Sequence, residues 1–188
     1  MTKRKCVETI DRSLQDIIEC ALPFEGKIMV FGGDFSQVLH VVPRETRAQI
    51  TDATVQRSYL WEKVRKIRLS RNMRAQSDPW FSEYLLRIGN GTEETIGDDY
   101  VQLPDDIVIG YTDMEVAINK LRGQTIPNVG IYLGIYLPEP VFSHGQLYVG
   151  LSRGISRSTT RILAKPKEEL DPTGKSTKNI VYKDVLIW

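Results

Sequence analysis

Asp34 and Gln37 stand three residues apart behind two glycines, at the end of the apolar run Ile28-Met29-Val30-Phe31. A carboxylate and an amide at that spacing can both reach a phosphate, a metal ion or a bound water. The amide can orient water without accepting its proton. Four consecutive apolar residues read as a short buried strand of a parallel sheet over residues 27–31. Gly32 and Gly33 would let the backbone turn tightly behind it. In open α/β sheets ligands gather at the carboxyl ends of strands, where a nucleotide enzyme would hold such polar groups. A strand leaving through a plain polar turn has the same composition, and the short pattern alone does not separate the two.

Periodicity supplies the elements that would position these groups. Val7, Ile10, Leu14, Ile17, Ile18 and Ala21 recur at helical spacing, with Pro23 as the stop. Thr51-Asp52-Ala53 would open a short helix through Ser58, and residues 64–69 alternate Val, Ile and Leu with Arg and Lys as a second strand would. Ser77-Asp78-Pro79 is a helix start, Trp80, Tyr84, Leu85 and Ile88 share its inner face, and Gly89 or Gly91 ends it. The first half therefore reads as α/β, a parallel sheet flanked by helices. Further on, residues 98–106 read as a polar connector, and residues 107–109, 129–133 and 160–164 as strand candidates. Residues 143–151 read as a helix, 166–178 as a linker and 180–188 as a last strand. Gly130-Ile131-Tyr132-Leu133 recurs at once as Gly134-Ile135-Tyr136-Leu137, a duplication too short to be a structural repeat.

With 188 residues, 41% hydrophobic and 26% charged, the composition is that of a globular chain. A net charge of +1 argues for no strong overall attraction to nucleic acid. Locally, Arg44, Arg47, Arg57, Lys63, Arg65, Lys66, Arg68, Arg71 and Arg74 form a basic segment, and Glu93, Glu94, Asp98, Asp99, Asp105, Asp106, Asp113 and Glu115 an acidic one. Such runs are either solvated faces or, for the basic one, a phosphate-facing stripe. Two cysteines, two histidines and no CxxC give no zinc spacing. Reduced thiols in an intracellular protein are the simplest account. No apolar stretch spans a membrane, and no signal core follows the basic start.

The segment from Gly32 to Leu39, followed by Val41-Val42-Pro43, resembles motif III of the Pif-family DNA helicases, including the plant and Helitron-type members. Leu69-Ser70-Arg71-Asn72-Met73-Arg74 is similar to motif IV, Gly123-Gln124-Thr125-Ile126-Pro127 to the end of motif V, and the segment from His144 to Gly154 to motif VI. Four motifs in family order are far more specific than any one of them. The resemblance implies a RecA-like P-loop NTPase helicase fold, a pair of α/β domains with ATP between them and Mg²⁺ as its metal. It implies that Asp34 and Gln37 lie near the γ-phosphate and the attacking water, with Gly33 beside them. Arg74 and Arg153 would contact the γ-phosphate, and Gly123, Gln124 and Thr125 would couple the ATP site to single-stranded or forked DNA. Arg65 and Arg68 would belong to the DNA track. Unwinding of duplex DNA in repair, recombination and telomere maintenance, in the nucleus or an organelle, is the implied activity. Positioning and charge stabilisation dominate phosphoryl transfer, and an arginine at the transferred group is worth about 10³–10⁵ in rate.

The departures from the family pattern define the expected state of this chain. The phosphate loop G-x-x-x-x-G-K-[ST] is missing: Gly174-Lys175-Ser176-Thr177 has Glu169 where its first glycine belongs and an acidic, Pro-ended lead. No strand ends in Asp-Glu to hold Mg²⁺. Where the family reads N-K-S-Q-G-Q-T, this chain has Asn119-Lys120-Leu121-Arg122-Gly123-Gln124-Thr125, which suggests a deletion join at Leu121/Arg122. His40 stands where the family usually has Pro. The expectation is a truncated helicase, incomplete and inactive in hydrolysis. Residues 1–90 would be the distal part of the first RecA-like domain, 91–121 an acidic connector, and 122–188 a remnant of the second with a tail. Two other readings stay open: a non-catalytic nucleic-acid- or partner-binding remnant, and a chain that never folds. Taken singly, the residues also have ordinary roles. Arg74 could be an exposed arginine, Arg153 a helix C-terminal cation, His144 a packing residue, and Trp80 and Phe81 core.

Overall fold

The computed structural model describes residues 3–18, 22–39, 46–69, 72–97, 99–109, 133–137, 141–166 and 171–187. The chain divides into two compact units, Met1–Leu69 with Lys183–Trp188, and Ser70–Tyr182.

In the first unit, helix α1 (Arg4–Ile18) turns Val7, Asp11 and Leu14 inward at positions i, i+4 and i+7. Asp11 is fully buried, and its carboxylate accepts the Phe24 N–H at 2.6 Å, the Tyr59 hydroxyl at 2.6 Å and the Gln15 side-chain amide at 3.0 Å. Those three bonds answer the cost of burying a charge and tie α1 to the turn after it. Phe24, Glu25 and Gly26 in that turn all take left-handed backbone, with φ of 50°, 58° and 73°. Helix α2 (Arg47–Asp52) starts in a capping box, Thr46 bonding the Gln49 N–H and Gln49 returning to the Thr46 N–H. This helix begins earlier than the sequence indicated. Arg4 forks onto both oxygens of Asp52 at 3.1 and 3.0 Å. Near the C-terminus, Asp184 takes Arg47 at 2.8 Å and the Val185 carbonyl takes Gln56 at 2.8 Å.

The strands expected at residues 27–31 and 64–69 do not form. Among the described residues neither segment joins a β-ladder. Ile28 and Val30 are 93% and 89% exposed, and Ile67 and Leu69 are 74% and 92% exposed. Apolar composition creates a demand for neighbours on both faces and edges, and the first unit supplies too few. Gly32 and Gly33 have no atom near the position of an added Cβ and are not among the residues of positive φ, so the turn does not require glycine there.

The second unit is built on helix α3 (Pro79–Asn90), whose two ends follow the sequence reading. The Asp78 carboxylate caps the Phe81 N–H at 3.0 Å, and Gly91 takes the left-handed C-cap position at φ 64°. An added Cβ on Gly91 would also press on Val181. Strands β1 (Thr95–Ile96), β2 (Tyr100–Gln102) and β5 (Ser176–Lys178) form an antiparallel sheet in the order β1-β2-β5, with Val101 opposite Thr177. Strand β3 (Leu133–Leu137) pairs in parallel with β4 (Thr160–Ala164), Ile135 opposite Ile162. Residues 107–109 flank Ile162 through a parallel bridge at Val108. Helix α4 (Gln146–Leu151) lies within the helix expected at 143–151.

The sheet prediction therefore needs correction. Instead of one parallel sheet, the described residues hold a short parallel pair and a separate antiparallel sheet. The polar connector at 98–106 contains β2, with Val101 and Leu103 buried. The linker at 166–178 contains β5, and residues 180–187 hold a short turn at Lys183–Val185 instead of a strand. β2 and β5 were invisible because each buries a single residue per strand, Val101 and Thr177, too little for a period-2 signal. The core gathers Phe81, Tyr84, Leu85 and Ile88 from α3 with Leu147 and Leu151 from α4 and Ile162 from β4.

Candidate functional site

The candidate residues fall into the two units, and each group has its own geometry. In the first unit, Asp34 and Gln37 bond to each other. Asp34 Oδ1 accepts the Ser36 N–H at 2.9 Å, Oδ2 accepts the Gln37 side-chain amide at 3.2 Å, and the Gln37 N–H donates to the Asp34 carbonyl at 3.2 Å. This is an Asx-type turn. It presets the amide of Gln37 beside the carboxylate and leaves Gln37 exposed. Gly33 precedes it with open space on its Cβ side. Arg65 is exposed and lines an apolar groove, and Arg68, also exposed, lies three residues on. Lys66 sits over the Trp61 ring at 4.8 Å. Arg44 and Arg71 of the basic segment lie outside the described residues, Arg47 is paired with Asp184, and Arg74 belongs to the other unit.

In the second unit one helix end brings Arg74 to the residue before Arg153. Asn72 Oδ1 accepts the Arg74 and Ala75 N–H groups at 2.9 and 3.1 Å, which fixes the backbone at Arg74. The Arg74 guanidinium then donates to the Ser152 carbonyl at 2.6 Å. Ser152 is the C-cap of α4 and the residue before Arg153. The helix-capping role considered for Arg153 thus falls to Arg74, a cation at the negative end of a helix. Among the described residues neither Arg74 nor Arg153 meets a carboxylate within ion-pair distance, while Arg87 and Arg157 both do. An arginine without an acid keeps its field for an incoming anion.

A second clip, missed in the sequence, holds the same region. The Asp78 carboxylate that caps α3 also accepts the Arg157 N–H at 2.9 Å and its Nε at 3.2 Å, and the Arg157 guanidinium lies 4.5 Å over the Trp80 ring. Burial alone would raise the Asp78 pKa. The hydrogen bonds from Arg157 and Phe81 outweigh it and hold the carboxyl below its ordinary value. Trp80 stacks on Tyr84 and is spent on this contact. Gly154 lies in the same loop, and an added Cβ there would fall on Thr160 Oγ1. The glycine is required by close packing, a signal that a lone Gly in sequence does not carry.

His144 packs, as its ordinary reading had it. It is 2% exposed, its Nδ1 accepts the Tyr182 N–H at 2.8 Å, and its ring stacks on Tyr182. The Gly174-Lys175-Ser176-Thr177 segment is a turn leading into β5. Lys175 Nζ sits on Asp105 at 2.7 Å, and the Ser176 N–H is taken by Asp171, so neither group is offered to a phosphate. Burial would raise the Asp171 pKa, but its bonds from Thr173 and Ser176 leave it lowered. Gly123, Gln124 and Thr125, the suspected join at Leu121/Arg122, Cys20 and His40 lie outside the described residues. Among the described residues no group of three or more His, Cys, Asp or Glu side chains could hold a metal, and no helix is long and apolar enough to cross a membrane.

The profile of one family, described as PIF1-like helicase, matches residues 1–99. The chain belongs to the PIF1-like helicases. No curated protein matches it. The matched stretch takes in Gly33, Asp34, Gln37, Arg65, Arg68 and Arg74, while Arg153 lies beyond it. Membership points to a RecA-like fold, to nucleotide and nucleic-acid binding, and to ATP and Mg²⁺ as the family's cofactors.

Proposed function

We propose that this PIF1-like chain is part of an ATP-dependent DNA helicase of the plant or Helitron type, internally deleted. It retains arginines for the transferred phosphate but lacks the means to hydrolyse ATP alone. The observation that carries the reading is the Arg74 contact with the Ser152 carbonyl, which brings the motif IV arginine to the residue before Arg153 of motif VI, neither arginine meeting a carboxylate among the described residues. A triphosphate fits that chemistry, since arginine is permanently charged and its fork matches phosphate oxygens. Asp34 and Gln37 would serve an attacking water, Gln37 holding it and Asp34 holding Gln37. Nothing among the described residues offers Mg²⁺ a clustered carboxylate site. The sequence holds no phosphate loop that could cradle the β- and γ-phosphates. Gly123, Gln124 and Thr125, with Arg65 and Arg68, remain the proposed coupling and DNA contacts. Repair, recombination and telomere maintenance in the nucleus remain the proposed setting.

Nucleotide binding tests the reading. The unaltered chain should bind a fluorescent ATP analogue without releasing phosphate. Arg74→Ala and Arg153→Ala should each weaken that binding about tenfold or more, the size of a charge-assisted hydrogen bond. Absence of binding, or binding indifferent to both substitutions, removes the arginine assignment. Phosphate release that survives repurification and disappears in Arg153→Ala removes the inactivity. For DNA, reversing the charges at Arg65 and Arg68 should reduce the salt slope for single strands by about 0.7 for each phosphate that the chain no longer neutralises, and Arg74→Ala should leave it unchanged.

A further inference from the structure

The Arg74–Ser152 bond has a second fastening behind it. Asp78 follows Arg74 by four residues, and Arg157 follows Arg153 by four. One carboxylate oxygen of Asp78 takes the Phe81 N–H at 3.0 Å, and the other takes the Arg157 N–H at 2.9 Å and its Nε at 3.2 Å. Residues 72–78 and 152–157 are therefore held together at two places. At one the guanidinium comes from the first stretch, and at the other from the second. Close packing fixes the loop between them. The Gly154 N–H donates to the Leu151 carbonyl at 2.9 Å, and an added Cβ on Gly154 would also lie 3.4 Å from the fully buried Phe81 ring.

An anion would act differently on the two fastenings. Arg74 is exposed, and among the described residues its guanidinium bonds a neutral carbonyl. A phosphate is the stronger acceptor and can draw it away. Arg157 faces two carboxylates, Asp78 and, at 3.7 Å, Asp106, and it lies 4.5 Å over the Trp80 ring. Its charge is already answered. We propose that Arg157 is a positioning residue, whose clip to Asp78 keeps Arg74 and Arg153 in place when a triphosphate draws Arg74 off Ser152. This rests on the reading of Arg74 and Arg153 as γ-phosphate contacts. Arg157 touches no phosphate itself. Groups that meet a ligand depend on neighbours that lock them, and small displacements are costly.

Fluorescent ATP and ADP analogues test this on the full chain, because the two arginines are assigned to the γ-phosphate that ADP lacks. The unaltered chain should prefer the ATP analogue about tenfold or more. Arg157→Ala keeps the α3 cap and the backbone bond to Asp78. It should cut that preference about threefold or more and leave the ADP affinity unchanged. Asp78→Asn keeps the cap but removes the acceptor facing Arg157, and should do the same. In a chain carrying both Arg74→Ala and Arg153→Ala, the two analogues should bind alike, and adding Arg157→Ala should move neither. Equal weakening of both analogues, as from a general loss of structure, overturns the proposal. So does an ATP preference that survives either substitution, and both results leave the arginine reading intact. Further weakening by Arg157→Ala in the doubly substituted chain makes Arg157 a direct phosphate contact, which also overturns the proposal. Absence of any ATP preference in the unaltered chain removes the arginine reading, and this proposal with it.

Discussion

Among the described residues the second unit gathers thirteen buried residues in one hydrophobic cluster, among them Phe81, Tyr84, Ile88, Leu151 and Ile162, while the cluster of the first holds three, Val7, Phe24 and Leu60. Both stretches of sequence are rich in apolar residues, so supply is not the difference. In the second unit α3 and α4 lay complementary stripes on a paired strand, and every large apolar side chain of β4 finds cover. In the first unit two strand-like segments have no ladder, and Ile28, Val30, Ile67 and Leu69 stay bare. Each would contribute about 1.5–3 kcal/mol if buried. The first unit holds instead through polar fastenings: Asp11 with its three donors, Arg4 on Asp52 and Arg47 on Asp184.

Truncation should expose this contrast most strongly. Phe81→Ala removes a fully buried ring from the second unit and should cost about 3–5 kcal/mol. Ile28→Ala in the first unit should stay within about 0.5 kcal/mol, as for an exposed residue. Urea unfolding of the two variants measures both. An Ile28→Ala loss comparable to that of Phe81→Ala would mean that residues 27–31 are covered in solution, and the comparison would fail. Next in size is Asp11→Ala. It leaves the Phe24 N–H and the Tyr59 hydroxyl buried or half-buried without an acceptor, and should cost about 2–3 kcal/mol. Tyr59 gives a local readout. Burial first, and then its bond to Asp11, raise its pKa, so its titration should move down in the variant. A stability loss without that movement would place the damage elsewhere.

These residues also show what could be read from sequence. The ends of α3 were legible because their chemistry is local: Ser77-Asp78-Pro79 and Gly91 need nothing distant to act. Strands were legible only where a partner exists. Residues 160–164 formed β4 because residues 107–109 and β3 flank them, whereas 27–31 and 64–69 had the composition without the neighbours. The short β2 and β5 gave no periodic signal at all. Of the candidate site, the local turn at Asp34 and Gln37 was readable as a polar cluster. The joining of Arg74 to the end of α4 spans 78 residues, and the Asp78–Arg157 clip spans 79. Pairings that distant leave no mark in spacing.

Glu25 is the clearest local conflict in the first unit. Its φ of 58° is left-handed, and its side chain is 3% exposed. Lys27 Nζ is 3.0 Å away, yet alignment leaves both carboxylate oxygens without a hydrogen bond. Left-handed backbone costs an L-residue about 1–2 kcal/mol, and glycine returns only part of that in chain entropy. Glu25→Gly should therefore stabilise the chain by about 0.5–1 kcal/mol, while Glu25→Ala keeps the strain and should not. Thermal melts of the pair decide it. A less stable Glu25→Gly would show that the Lys27 pair outweighs the backbone.

Acid separates the two units in a further way. Asp78 in the second unit and Asp184 in the first both have lowered pKa values, and the causes differ in order. For Asp78 the hydrogen bonds from Arg157 and Phe81 overcome an opposing burial, whereas for Asp184 the bond from Arg47 leads and burial opposes it. A lowered folded pKa means that each carboxylate adds stability above its unfolded value, near 3.9, and loses it as pH falls through the folded one. Asp78 is 12% exposed and Asp184 is 40% exposed, so solvent screens the latter more. Asp78→Asn keeps a capping oxygen for Phe81 but gives up the charge facing Arg157. At pH 7 it should be less stable than the parent by about 1 kcal/mol, with the gap closing below pH 4. Asp184→Asn should show a smaller gap over the same window. If Asp184→Asn flattens the acid limb more than Asp78→Asn does, the polar fastenings of the first unit are stronger than their exposure allows. The contrast between a unit held by its apolar core and one held by polar bonds would then have to be redrawn.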